Sequence, residues 1–212
     1  MKILKSTPAR CLAVALLIAL LFGPLNIPYR VLVLAFAALI WVLLEARELR
    51  PIGLGRQRLV PTLMWGGGVA IGVVAAGLVY DILIEKLMGV HSDLSGYGAL
   101  AGNAEAALKL LGLALTSAAF GEEILFRGFL LYQLSELLGT SARSRWIAIL
   151  LGGALFGLGH FIQGANGIIT TGLVGVVFGW AWFRSGRNLW AMILAHALID
   201  SFGIGMLYLG WA

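Results

Sequence analysis

The sequence predicts an all-α fold, a polytopic bundle of membrane-spanning helices. Three observations predict it: 60% of the 212 residues are hydrophobic, only 12% are charged, and the mean hydropathy is +0.96. An average soluble domain carries about 25% charged residues, and a soluble protein of this size has too much surface for its volume to hide so much apolar area. We therefore predict an integral protein of the cell (plasma or inner) membrane, in contact with the lipid bilayer.

About seven segments are apolar and long enough to cross a bilayer, which takes about 17–25 residues. They cover residues 11–27, 30–46, 60–84, 106–138, 146–163, 166–183 and 188–210. The first three spans and an outer loop form residues 1–104, and the last four spans form a four-helix core, residues 105–212. Because the fourth segment is too long for one straight span, we expect part of it to be interfacial or kinked.

Basic residues alternate between the loops and so predict the orientation. Bases precede the first span and follow the second, fourth and sixth spans: Lys2, Lys5, Arg10, Arg47, Arg50, Arg56, Arg58, Arg143, Arg145, Arg184 and Arg187. Cytoplasmic loops carry the excess of Lys and Arg, so the N-terminus is predicted to be cytoplasmic. This alternation also explains the net charge of +5, and we expect no nucleic-acid partner.

Cysteine and glycine usage narrows the classes of protein to which this chain can belong. The single cysteine, Cys11, excludes an intramolecular disulfide and a cysteine-based zinc site. Glycines four residues apart allow helices to pack closely in lipid, as at Gly68 and Gly72, Gly153 and Gly157, and Gly175 and Gly179. The sequence shows no internal repeat of the kind that marks many transporters.

Ionisable side chains inside the spans are the strongest functional indication, because each costs about 2.5–3.5 kcal/mol to insert. The residues in question are Glu122, Glu123 and Arg127 in the fourth segment, His160 in the fifth, and His196 and Asp200 in the seventh. Asp81, Glu85 and Lys86, at the outer end of the third span, are expected to lie at the interface instead. The six residues of the fourth, fifth and seventh segments are therefore predicted to face the interior of the bundle and each other.

Helical spacing predicts how these side chains pair. Glu123 and Arg127 are four residues apart, so they share a face and can form an ion pair. Glu122 points about 100° away and stays available for another partner. His196 and Asp200 also share a face, which suggests a carboxylate that orients an imidazole.

Three motifs in order resemble the CAAX-processing and bacteriocin-processing intramembrane protease family, which includes type II CAAX prenyl endopeptidases. They are Glu122-Glu123-Ile124-Leu125-Phe126-Arg127, the pair Phe156 and His160, and the pair His196 and Asp200. The stretch Gly186-Arg187-Asn188-Leu189-Trp190-Ala191 also resembles the family's approach to its last motif. The resemblance covers roughly residues 105–205, and all three motifs together are far more specific than any one.

The resemblance implies peptide-bond hydrolysis in a membrane cavity. Glu122 would be the general base that activates water together with His160. His196 and the residue at position 200 would support the oxyanion, and Glu123 with Arg127 would position the helix. Many members carry asparagine where this chain has Asp200. Since a carboxylate donates a hydrogen bond only when protonated, Asp200 is better assigned to orienting His196 or to binding a metal.

Two mechanisms are compatible with these residues. Glu122, His160 and His196 form a plausible ligand set for a divalent metal such as zinc, with a fourth position for water. The familiar His-Glu-x-x-His motif is absent, however, and glutamate-assisted hydrolysis without metal is the rival.

The predicted function is therefore an intramembrane endopeptidase, with a membrane-associated or prenylated (CAAX-type) peptide or protein as its substrate. Two alternatives use the same features. One is a non-catalytic scaffold or immunity protein of the same fold, and the other is a small proton-coupled carrier, since carriers also need buried carboxylates and histidines.

Overall fold

The computed structural model of this chain describes residues 3–24, 29–88 and 100–211, and of residues 81–88 it describes only the helical backbone. Within these ranges every regular element is helical, so the predicted all-α bundle is confirmed. The α-helices are α1 Thr7–Phe22, α2 Arg30–Ala46, α3 Leu59–Met88, α4 Ala104–Leu138, α5 Ala142–Leu158, α6 Gly164–Arg184 and α7 Leu189–Leu209. The predicted interfacial cluster of Asp81, Glu85 and Lys86 lies outside the described side chains.

Polar caps begin the three helices that carry the predicted site. The side chains of Asn103, Ser141 and Asn188 accept hydrogen bonds from the backbone N–H groups three residues ahead, at the starts of α4, α5 and α7. Each cap satisfies a backbone donor that the helix itself leaves free. Gly139 ends α4 with a φ of +88°, which glycine adopts readily because it has no Cβ.

Among the described residues, four helices are long and apolar enough to span a membrane: Leu59–Tyr80, Ala104–Leu138, Phe161–Arg184 and Leu189–Leu209. Only 11–17% of their most apolar windows is buried inside the protein, so most of this apolar surface faces outward, as expected in lipid. Helices α1, α2 and α5 have 16 or 17 residues, or roughly 25 Å, against a hydrocarbon core of about 30 Å. The count of seven spans therefore stays a prediction.

Two of the basic connections meet at one end of the bundle. Arg187 Nη1 donates to Pro51 O at 3.4 Å, and the backbone of Leu189 donates to Gly53 O at 3.3 Å. The α2–α3 and α6–α7 connections therefore lie side by side, as the alternation of basic loops predicts. Which side faces the cytoplasm stays a prediction. Arg10, expected to precede the first span, instead lies within α1 and is buried.

Helix α4 carries two π-helical stretches, Ala114–Glu122 and Ile124–Leu130, between α-helical ends. Its bonds there run i→i+5, a rare arrangement that is frequent at functional sites. The long fourth segment is one continuous helix of 35 residues, and the expectation that part of it is interfacial or kinked stays a prediction. Glu122 is the last residue of the first stretch, Glu123 lies between the two, and Arg127 lies within the second.

The glycine pairs differ in what they contact. A Cβ on Gly157 would lie 2.4 Å from Ile168 O, and one on Gly153 would lie 2.6 Å from Val176 Cγ2. Close packing between α5 and α6 therefore depends on these glycines, as predicted. The prediction is wrong for Gly68 and Gly72, where a Cβ would meet no atom within 4 Å. Both glycines line an apolar groove of about 670 Å³ between α3 and α6.

Candidate active site

Glu123 lies at the centre of the buried polar cluster. Its Oε1 accepts a hydrogen bond from Arg127 Nη1 at 2.7 Å and another from His196 Nδ1 at 2.8 Å. The side chain of Glu123 has 0% exposure and that of Arg127 has 2%, so neither charge is balanced by solvent. The Glu123–Arg127 ion pair predicted from the spacing is present, and the contact between α4 and α7 adds to it.

Aromatic rings enclose the guanidinium of Arg127. Its Cζ lies 4.2 Å from the centre of the Phe156 ring and 4.8 Å from that of Phe178. Such cation–π contacts are strongest where water is excluded. The flat guanidinium therefore has a fixed orientation, in which Nη1 points to the carboxylate of Glu123.

His196 is oriented by Glu123 rather than by Asp200. Because a carboxylate accepts, Nδ1 of His196 carries the proton in this hydrogen bond. Its other nitrogen, Nε2, lies 3.6 Å from Asp200 Oδ2, which is too long for a hydrogen bond. Asp200 thus faces the imidazole as a neighbouring charge, and the orienting contact predicted for it is made by the other carboxylate.

His160 lies just beyond the end of α5. The segment expected to run to residue 163 stops at Leu158, and a 3-10 turn, Phe161–Gln163, follows His160. The Nδ1 of His160 lies 2.9 Å from Phe156 O. Since a carbonyl only accepts, Nδ1 carries the proton, and Nε2 of the neutral ring is left as an acceptor.

Glu122 differs from its neighbour, because neither of its carboxylate oxygens takes part in a described hydrogen bond, whereas Glu123 accepts two through Oε1. The Oε2 atoms of both glutamates are buried without a partner in the described part of the chain. Its charge nevertheless acts on Arg127, His196 and Asp200. Buried polar atoms normally have partners, and an exception requires an explanation such as catalysis. An unpaired carboxylate oxygen next to this cluster can accept a proton from a bound water.

The structure places all six predicted site residues in one region. Glu122, Glu123 and Arg127 come from α4, His196 and Asp200 from α7, and His160 from the end of α5. The ring of Phe156 lies 4.9 Å from that of His160 and 6.2 Å from that of His196. None of the described hydrogen bonds joins Glu122 directly to His160.

The described residues do not form a metal site. Nowhere in residues 3–24, 29–88 and 100–211 do three His, Cys, Asp or Glu side chains come together as a ligand set. Of the predicted ligands, His196 uses Nδ1 for Glu123, and His160 uses Nδ1 for a backbone carbonyl. Metal-binding histidines commonly make such bonds with the nitrogen that does not bind the metal, so the ligand set of Glu122, His160 and His196 stays a prediction.

Two features of the site region escaped sequence analysis. Phe178, which contacts both Arg127 and His196, resembles any other apolar residue of a span. The second is a buried polar network around Glu45, outside the three motifs. Glu45 stands near the end of an apolar segment, where a charge is ordinarily read as interfacial.

An apolar helical bundle with a buried Glu–Arg–His cluster defines a membrane protein whose site is suited to acid–base chemistry within the bilayer. Residues 104–202 match the family model described as type II CAAX prenyl endopeptidase Rce1-like. This match confirms the resemblance read from the three motifs, covers just under half of the chain and contains all six site residues. It supports a CAAX-type protease. No curated protein and no solved structure matches the chain.

Proposed function

We propose that this protein is an intramembrane endopeptidase that hydrolyses peptide bonds of membrane-associated or prenylated (CAAX-type) peptides. The observation that carries the proposal is the contrast between the two adjacent glutamates. Glu123 accepts hydrogen bonds from Arg127 and His196 through Oε1, whereas Glu122 takes part in none of the described hydrogen bonds and its Oε2 is buried. The family match over residues 104–202 supports the same reaction.

Glu122 and His160 share the activation of water. Glu122 takes a proton from the water, whose oxygen forms a bond to the carbonyl carbon of the substrate. Nε2 of His160, unprotonated in the neutral ring, accepts the hydrogen bond of the other O–H. The C=O electron pair moves to oxygen and gives a tetrahedral oxyanion. When the C–N bond then breaks, Glu122 returns its proton to the leaving nitrogen.

His196 stabilises the oxyanion. With Nδ1–H held by Glu123, Nε2 can donate only when the ring is protonated, and the nearby carboxylates of Glu123 and Asp200 favour that positive ring. A donor that points at the developing charge, in a site closed to bulk water, usually supplies a large part of the rate enhancement. Asp200 then acts by balancing the charge of His196.

Glu123 and Arg127 hold the site rather than react. The bond of Arg127 to Glu123 keeps one carboxylate oxygen aligned with His196, and the rings around Arg127 keep the guanidinium in place. This chain's own side chains can make each proton transfer in the sequence above, so we propose glutamate-assisted hydrolysis and route no step through a metal.

The test is cleavage by purified protein in liposomes. Matched prenylated and unprenylated peptides would be offered to the wild type, to Glu122→Gln and to Glu105→Gln, an exposed site on the same helix. We expect cleavage by the wild type and by Glu105→Gln, and a loss of about 10²–10⁴-fold in Glu122→Gln, the usual contribution of a general base.

Two results would contradict the proposal. One is a folded wild type that cleaves none of the peptides. The other is a Glu122→Gln variant that cleaves as fast as Glu105→Gln. In either case the scaffold and carrier hypotheses gain weight, and a pH-sensitive dye inside the same liposomes separates them, because only a carrier would move protons.

A further inference from the structure

A second buried polar network joins helices outside the family match to the matched segment, where α1 and α2 meet the C-terminal end of α4. Arg10 forms an ion pair with Glu45 and donates to Gln133 Oε1 at 2.8 Å. Gln133 Nε2 donates to Glu45 Oε2 at 2.8 Å, and the Tyr132 hydroxyl donates to Glu45 Oε1 at 3.1 Å. Both oxygens of the Glu45 carboxylate are therefore occupied by groups from two other helices.

This network is fully desolvated. Arg10 is 5% exposed, and Glu45 and Gln133 are 0% exposed. Charges placed so deeply are costly unless each is paired and hydrogen-bonded. The arrangement therefore tolerates little displacement of α4 relative to α1 and α2.

Helix α2 follows α4 from this network back to the two glutamates. It packs along both π-helical stretches. At its start, the absence of a side chain on Gly121 lets α2 approach, since a Cβ there would lie 2.9 Å from Val31 Cγ1. Gly121 directly precedes Glu122. Helix α2 thus contacts α4 in the middle of the π-helical region and again just beyond its C-terminal end.

The π-helical region makes the direction of the glutamates sensitive to this contact. An α-helix turns about 100° per residue, and a π-turn with i→i+5 bonds turns less. The direction of Glu122 and Glu123 relative to Gln133 therefore depends on how many of the turns between them are π. A return of one turn to α would rotate both carboxylates away from α5 and α7.

We infer that the network of Arg10, Glu45 and Gln133 holds the π-helical stretch of α4 in register and so positions Glu122 and Glu123, an inference that rests on the proposed function. Glu45 is a positioning residue in this account. It lies outside residues 104–202, so the N-terminal helices contribute to the geometry of a site that the matched segment carries.

The histidines give a readout that does not depend on cleavage. The chain has three histidines, and isotope-labelled imidazole nitrogens can be followed by NMR after assignment by substitution. His196 reports on α4, because its Nδ1 bonds Glu123. His160 is an internal control, because its Nδ1 bonds Phe156 O at the end of its own helix.

The experiment compares Glu45→Gln with Glu48→Gln, the same change at an exposed position just beyond α2. A second variant, Tyr132→Phe/Gln133→Met, removes the hydrogen bonds of α4 to Glu45 and of Gln133 to Arg10. It leaves the Arg10–Glu45 ion pair and the 3.4 Å contact of Arg10 with the exposed side chain of Glu136, so it remains testable where an unpaired Arg10 prevents folding. We expect shifted His196 signals, a His160 ring that keeps its Nδ1 proton on Phe156 O and, in Glu48→Gln, wild-type spectra. We also expect kcat to fall about 10–100-fold at nearly constant KM, as misplacement by about 1 Å can cause.

Wild-type His196 signals in a folded Tyr132→Phe/Gln133→Met variant would overturn the inference, since the network would then be structural only. The spectra decide this even for a wild type without proteolytic activity. Failure of the proposed function would instead appear as absent cleavage in the wild type, whatever the spectra of the variants.

Discussion

Glu122 and Glu123 are neighbours in the chain but differ in their hydrogen bonds. Glu123 Oε1 accepts from both Arg127 and His196, while Glu122 takes part in no described hydrogen bond, and the Oε2 atoms of both are buried without a partner in the described structure. One carboxylate is thereby committed to holding two helices together, and the other is left for chemistry. The same substitution at the two positions should therefore have different consequences.

Glu123→Gln should destabilise the protein, and Glu122→Gln should not. Removing the charge of Glu123 leaves Arg127 buried without its counter-ion, a loss of about 3–5 kcal/mol for such pairs. Glu122→Gln breaks no described hydrogen bond, so the free energy of unfolding should change by less than about 1 kcal/mol, the usual contribution of one hydrogen bond. Denaturant unfolding in detergent, followed by circular dichroism, measures both. Equal stability of the two variants would refute the assignment of Glu123 as the structural carboxylate.

His160→Asn should separate orientation from chemistry. The amide N–H of asparagine can replace Nδ1–H in the bond to Phe156 O, but nothing replaces Nε2. If Nε2 is the atom that binds the water, His160→Asn loses activity by about 10²–10⁴-fold, as His160→Ala does. Its unfolding temperature should lie closer to that of the wild type than that of His160→Ala does. Kinetics and thermal unfolding of both variants check this. Substantial activity in His160→Asn would move the role from Nε2 to the backbone contact.

Gly157→Ala should weaken the packing of α5 against α6. The new methyl group would lie 2.4 Å from Ile168 O, and forced overpacking costs about 1–3 kcal/mol. The matched control is Gly72→Ala, where the methyl group meets no atom within 4 Å and where replacing a helical glycine should stabilise by about 0.5–1 kcal/mol. Unfolding of the two variants in detergent should therefore shift in opposite directions, and a shift in the same direction would count against the packing described for α5 and α6.

Chelator treatment should leave cleavage unchanged. The described donors do not assemble a three-ligand site, and glutamate-assisted hydrolysis uses only this chain's side chains. Activity of the purified protein would be followed with and without a strong zinc chelator, and then after zinc is added back. Loss of cleavage with chelator and its recovery with zinc would contradict this mechanism in favour of a metal-dependent one. Glu122, His160 and His196 would then be the first ligands to test.

The sequence was a good guide to the site because ionisable residues are so costly in lipid that few are present. The six candidate residues lie together in the structure, and the Glu123–Arg127 pair follows from helical spacing alone. The partner of His196 did not follow, since spacing relates only residues of one helix. Asp200 is the nearest carboxylate in that sense, whereas Glu123 reaches the imidazole from another helix.

Composition and residue spacing by themselves determined the membrane class, the all-helical fold, the ion pair within α4 and the family resemblance. These depend on hydropathy and on local helical geometry, which the order of residues specifies directly. Only the tertiary structure decided the π-helical form of α4, the rings around Arg127, the unpaired oxygen of Glu122 and the burial of Arg10 with Glu45. Each of these depends on which helices pack together and in what register, and that is set by contacts between residues far apart in the chain.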